Sequence, residues 1–291
     1  MGSEMCIRDR CLSVRFKPIN KMKFAICNEV FEGWSIDDSI KFVAETGYDS
    51  IEIAPFTLAQ YVTEVSVVER HRIRDVAADN GIGISAVHWV LIKTEGMYMT
   101  HPDPVIRRKT ADYFCELVRF CADLGGEAIV VGSPKQRNLL PGVSFEAAWE
   151  LARETFAPSI KMAEDKAVTI CFEPLAPSET NFVNTAEKGI EFIQQFNSEA
   201  FKIILDVKAM CSDLKPIPDI IRDSHPNFAY FHANDANLKG PGFGDVDFKP
   251  IFGALKEVDY DGFVSVEVFD FEEGPETIAR ESLRYMREVS V

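Results

Sequence analysis

Short apolar or β-branched runs alternate along this chain with longer segments whose apolar positions recur at helical spacing. The run KFAICNEVF (23–31) precedes SIDDSIKFVAETG (35–47), and DSIEIAP (49–55) precedes a helical pattern through 67–81. GISAVHWVL (83–91) leads to a long helical stretch, 104–124, and EAIVVGSP (127–134) to another, 144–166. The second half repeats the alternation: VTICFEPL (168–175) then 185–197, FKIILDVKA (201–209) then a short helix around 217–224, FAYFHAND (228–235) then 248–258, and GFVSVEVFD (262–270) then 275–289. Eight strand–helix units result. Regular alternation predicts parallel strands joined by right-handed crossovers, and runs with little polar alternation suit strands covered on both faces. Eight units in about 270 residues predict an α/β fold of the (β/α)8 barrel type. A doubly wound open sheet is the rival, but no G-x-G-x-x-G follows the first run.

Local punctuation agrees with these boundaries. Ser35-x-x-Asp38 resembles a capping box and Gly47 closes the same segment. Asp103 is the expected N-cap of the third long helix, with Pro104 at its first position. No linker or low-complexity stretch interrupts 22–291, which is read as one barrel domain. Residues 1–21, MGSEMCIRDRCLSVRFKPINK, are basic, lack an apolar core, and contain a string, Met5 to Asp9, that reads like translated adapter or vector sequence. They are read as a disordered or non-native extension and not as a secretory signal.

Charge narrows the function classes. The 291 residues carry a formal net charge of −15. Such a surface repels phosphate backbones and anionic membranes, so neither nucleic acid nor a membrane is expected as partner. No run approaches the length of a membrane span. A small neutral or metal-bridged ligand fits better, and a homo-oligomer is compatible. Seven cysteines with no close metal-type pairing predict a reducing, cytoplasmic setting.

Barrels of this kind place chemistry at the C-terminal ends of their strands. The last four runs each end on ionisable residues: Glu173 in CFEP, Asp206 and Lys208 in ILDVKA, His232 in YFHAND, and Glu267 in VSVEVFD. Three carboxylates buried side by side oppose one another unless a cation intervenes. Glu173, Asp206, His232 and Glu267 therefore read as ligands of one divalent ion. Three carboxylates and an imidazole suit Mn2+, Mg2+ or Co2+ better than a structural zinc site. Other strand-end residues complete a pocket: Asn28 and Glu29 after the first run, and Glu52 pointing inward from the second. His88 and Trp89 follow on the third run, and Lys135 and Arg137 lie after the fourth as local cations for a phosphate or carboxylate.

The motifs FEP, LDV, FHAND and VEVF, with their ligands spaced 33, 26 and 35 residues apart, resemble the metal site of the sugar phosphate isomerase/epimerase family, the xylose isomerase-like TIM barrels. The likeness spans about 22–291 and is nearest the D-tagatose 3-epimerase and D-psicose 3-epimerase group. It implies a single divalent metal held by all four residues, with Glu173 and Glu267 also serving as the catalytic acid/base pair. It also implies that Glu179 binds a substrate hydroxyl. Two positions depart from the pattern. Ala209 and Leu238 stand where the ketose epimerases carry a substrate-binding His and Arg, and Lys208 or Lys239 could substitute.

The function expected is therefore a metal-dependent sugar or sugar-derivative isomerase/epimerase. It would abstract a proton beside a metal-bound carbonyl and pass through an enediolate. The same intermediate could expel a leaving group, so a dehydratase or lyase acting on a keto-sugar or inositol derivative is the alternative. An endonuclease IV-like hydrolase is remote, since such sites look His-rich and this chain has five histidines.

Overall fold

Eight parallel strands close into a barrel in chain order: β1 Lys23–Cys27, β2 Ser50–Ile53, β3 Gly83–Val87, β4 Ala128–Val131, β5 Thr169–Phe172, β6 Phe201–Asp206, β7 Phe228–Ala233 and β8 Phe263–Val266. The computed structural model describes residues 22–291, so the reading of residues 1–21 as an extension lies outside the described residues. Surrounding the barrel are α1 Ile36–Thr46, α2 Val67–Asp79, α3 Pro104–Leu124, α4 Phe145–Lys166 and α5 Ala186–Gln194, then α6 Val207–Met210, α7 Ile217–Ser224, α8 Phe248–Glu257 and α9 Pro275–Val289. Closure comes from β1 pairing with both β2 and β8. Among the described residues no helix is long and apolar enough to cross a membrane.

The caps sit where local chemistry puts them. Ser35 Oγ accepts the Asp38 N–H at the start of α1, and Gly47 closes that helix at φ 101°, a value that favours a residue without Cβ. Asp103 accepts the Val105 N–H ahead of Pro104. Two apolar layers follow from strands buried on both faces. Outside the barrel, Phe156, Phe172, Phe192 and Phe201 pack between α4, α5 and the strands they cover. Inside, the small side chains Ala25, Ala86 and Ala128 make room for Tyr230 and Phe263. The Tyr230 hydroxyl lies 2.8 Å from Ser85 Oγ, which satisfies both in the barrel floor.

Strands stop earlier than the apolar runs. Residues 28–31 form a 3-10 turn, β3 ends at Val87 with Trp89 at φ 55°, and β6 hands over to α6 at Val207. The cause at β6 is visible. Asp206 accepts the Ala209 N–H at 2.7 Å and so caps a helix at the point where an apolar pattern alone would continue the strand.

Candidate metal centre and cavity

The C-terminal mouth of β5–β8 gathers Glu173, Asp206, His232 and Glu267. Each offers one ligand atom within 4.8 Å of the others, and all four are buried. Strand register does much of this. Asp206 pairs with His232 across β6 and β7, while Glu173 and Glu267 follow directly on β5 and β8. His232 Nδ1 faces Glu267 Oε2 at 3.2 Å and has no hydrogen-bond partner. Its Nε2 lies 3.1 Å from Glu52 Oε1, so the carboxylate behind it fixes the ring and turns Nδ1 toward the donor set. Asn234 holds two of the carboxylates. Its amide donates to Asp206 Oδ2 at 2.6 Å and to Glu267 Oε2 at 3.3 Å, while Oδ1 accepts the Lys208 N–H.

Glu173 is seated differently. A Cβ on Gly132, just past β4, would overlap its carboxylate oxygen. Behind both lies Arg137, fully buried, donating to the Glu173 carbonyl at 2.7 Å and to the Gly132 carbonyl at 2.9 Å, with its guanidinium 4.7 Å from the centre of the Phe172 ring. Arg137 is therefore a clamp on two strand ends, a correction to its reading as a cation for a substrate phosphate or carboxylate. Gly132→Ala should keep the fold, since the atom it displaces is the end of a side chain, yet weaken ion binding by about 10–100-fold through a misplaced Glu173. Equilibrium dialysis against Mn2+ checks this, and unchanged affinity would show that Glu173 does not need the space.

Electrostatics push the two glutamates apart. Burial, with Glu267 and Asp206 nearby, raises Glu173 to about 8. Burial and Glu267 raise Asp206 to about 6. Burial also pushes Glu267 upward, but the His232 imidazole beside it outweighs this and holds it below the usual carboxylate range. Glu52 is likewise brought down to about 2, against burial, by His232 and His88. Three acidic groups around one point, one of them clinging to its proton, fit a divalent cation, and an all-O/N donor set fits a hard or borderline ion. Binding must displace the Glu173 proton. Affinity should therefore rise with pH through about 8, by about tenfold per unit for each proton displaced. Mn2+ titrations at several pH values test this, and a flat profile from pH 6 to about 8 would contradict it.

A cavity of about 290 Å3 opens above the centre, with Glu173 and Glu267 on its surface. His88, Trp89, Lys135, Glu179 and Lys208, all read as substrate contacts from the sequence, line it. Lys208 Nζ donates to Glu179 Oε1 at 2.7 Å and lies 4.0 Å from the Phe269 ring centre, and Glu179 Oε2 and Trp89 Nε1 are buried without partners. Asn28 is not part of this lining. Its amide donates to Thr57 Oγ1 and its oxygen accepts the Ala54 N–H, so it is spent on joining the loops after β1 and β2. Lys239 is engaged by Glu272 and Glu273, and Leu238 and Ala209 do not line the cavity. Asp235 binds the Val246 N–H within its own loop and does not reach the mouth. Glu52 points inward as expected, and Glu29 sits 3.1 Å from His88 Nε2.

Comparison with known proteins follows the same lines. The family model for the xylose isomerase-like TIM barrel matches residues 40–289. A D-psicose 3-epimerase of Ruminiclostridium cellulolyticum is 27% identical over 79% of this chain and 77% of its own. A 3-dehydro-D-guloside 4-epimerase of Escherichia coli is 22% identical over 91% of this chain and 99% of its own. The crystal structure of a D-psicose 3-epimerase with D-tagatose, from Clostridium cellulolyticum, superposes with a TM-score of 0.81 at 24% identity, covering 92% of this chain and 99% of that one. The fold is shared.

Proposed function

Since the chain belongs to the xylose isomerase-like TIM barrel family, we propose that it is a divalent-metal-dependent epimerase acting on a sugar or sugar derivative at the carbon beside a carbonyl. At the level of class it is an enzyme of the sugar isomerase and epimerase group, like the relatives named above. The observation that carries the finer reading is the convergence of Glu173, Asp206, His232 and Glu267 beneath a cavity that two of them line.

When bound, a divalent ion supplies Lewis acidity that makes a C–H beside a carbonyl acidic. The rest falls to side chains. One of Glu173 and Glu267 takes the proton from one face of the carbon, and the other returns a proton to the opposite face, which inverts the centre. Their separate environments suit different protonation states at one pH, as such a pair requires. Glu179 Oε2 offers an acceptor and Trp89 Nε1 a donor to sugar hydroxyls. The Trp89 and Phe269 rings, 5.7 Å apart, give the apolar face of a sugar a wall. Asn234 and Glu52 hold the ligands in place and exchange no proton with substrate.

The test is proton exchange. The Mn2+-loaded chain, incubated in D2O with a panel of ketoses and 3-dehydroglycosides, should incorporate deuterium beside the carbonyl and yield the epimer, followed by proton NMR. Loss of water or fragmentation without an exchanged epimer would replace this reading with the dehydratase or lyase alternative. No reaction across the panel would remove the keto-sugar reading.

A further inference from the structure

On the other side of the barrel mouth from β5–β8, three further donors meet. Cys27 ends β1, Glu52 lies on β2, and His88 follows β3; one ligand atom from each lies within 4.8 Å of the others. Neighbouring parallel strands put them there, since Cys27 registers with Glu52 and Ile53 registers with Val87, one residue before His88. The Cys27 thiol donates to Glu52 Oε2 at 3.0 Å, and His88 Nδ1 faces Glu52 Oε1 at 3.6 Å. A four-coordinate ion with bonds of about 2.0–2.3 Å to such atoms holds them about 3.3–3.8 Å apart. The three atoms thus need little movement to close around one.

A second observation points the same way. His88 is 1% exposed; its Nε2 faces Glu29 Oε2 at 3.1 Å, while Nδ1 makes no hydrogen bond. A polar nitrogen buried this deeply normally has a hydrogen-bond partner of its own. Here Nδ1 faces Glu52 Oε1 at 3.6 Å, too long for a direct bond, while Cys27 holds the other oxygen of the same carboxylate.

We propose that Cys27, Glu52 and His88 form a second divalent-cation site, suited to a thiolate-accepting ion such as Zn2+ or Co2+. The thiol sets the preference, because soft ligands select such ions over Mg2+ or Mn2+. The first centre contains no sulfur, so the two sites differ in chemistry as well as place. Of the three donors, His88 also lines the cavity. Binding breaks the Cys27 S–H bond and forms an ion–sulfur bond, and the proton passes to bulk water. In the ion-free chain burial and the carboxylates around it keep the thiol protonated, and a cation at that point reverses both influences. The Glu52 carboxylate also touches His232, so the two sites share one side chain.

The experiment uses the full chain stripped of metal and titrated with Co2+. Uptake of about two ions per chain is expected, together with a near-ultraviolet thiolate-to-cobalt charge-transfer band. Cys27→Ser should lose that band and one of the ions while keeping the other. Uptake of one ion without a band, or a band that survives Cys27→Ser, overturns the proposal. If the variant does not fold, X-ray absorption on the native chain loaded with Zn2+ decides. A sulfur scatterer at about 2.3 Å supports the site, and a shell of nitrogen and oxygen alone refutes it.

Discussion

Glu267→Gln is expected to lower turnover by about a thousandfold or more, and Glu173→Gln to do the same, with the far-ultraviolet circular dichroism unchanged. Glutamine preserves volume and one coordinating oxygen, so the core around β5 and β8 has no reason to collapse. What disappears is the ability to take or return a proton at the carbon beside the carbonyl. The two variants should differ in what else they change. Glu267 faces His232 at 3.2 Å and helps hold that ring positively charged in the ion-free chain, whereas Glu173 faces other acids. Removing the Glu267 charge therefore makes His232 easier to deprotonate and shifts the pH dependence of ion binding downward. Removing the Glu173 charge removes the proton that must leave near pH 8. Turnover within about tenfold of the native chain in both variants would refute the acid/base assignment, whatever their metal content.

Arg137→Ala should cost about 3–5 kcal/mol of folding stability, the largest effect expected outside the ligand set. The guanidinium is wholly buried. Burial lowers its pKa to about 10, which still leaves it charged at neutral pH. Its fork serves the carbonyls of Gly132 and Glu173, and alanine leaves both without a partner and opens a void beside Phe172. Lysine at this position should recover only part of the loss, since one ammonium cannot copy the planar fork. Urea denaturation gives the answer through the midpoint at constant slope, and a change below about 1 kcal/mol would mean the clamp is dispensable.

The barrel and its centre were legible in the sequence for one reason. Parallel strands covered on both faces leave uninterrupted apolar runs, so an ionisable residue at the end of a run stands out, and four of them stood in series. Asp206 shows where legibility stops. Its place beside the other three follows from position, but its bond to the Ala209 N–H, which ends β6 early, depends on a rotamer that no pattern encodes. Arg137 shows the same limit over distance. Its partner carbonyl at Glu173 lies 36 residues away, so from the sequence it looked like any loop cation. Lys208 and Lys239 carry the same charge near the same mouth, and only the placement of Glu179 on one side and Glu272 and Glu273 on the other separates them. Asn28 was misread for a related reason. A polar side chain after β1 can serve a ligand or a neighbouring loop, and the backbone amide of Ala54 claimed it.

All four members of the carboxylate–imidazole centre belong to β5–β8, while His88, Trp89 and the 132–136 turn of the cavity wall follow β3 and β4. The proposed chemistry thus sits in the β5–β8 half of the closed sheet, and the β3–β4 half contributes only wall, beside Glu179, Lys208 and Phe269. A segment exchanged after β3 or β4 alters what the cavity admits while the hydrogen-bonded register of β6 against β7 still fixes Asp206 beside His232. Gly132 and Glu173 mark the seam between the halves, the place where a change made for selectivity reaches the chemistry. For redesign, the loop after β3 is the freer place to graft a new preference, and the turn after β4 is the one to leave intact.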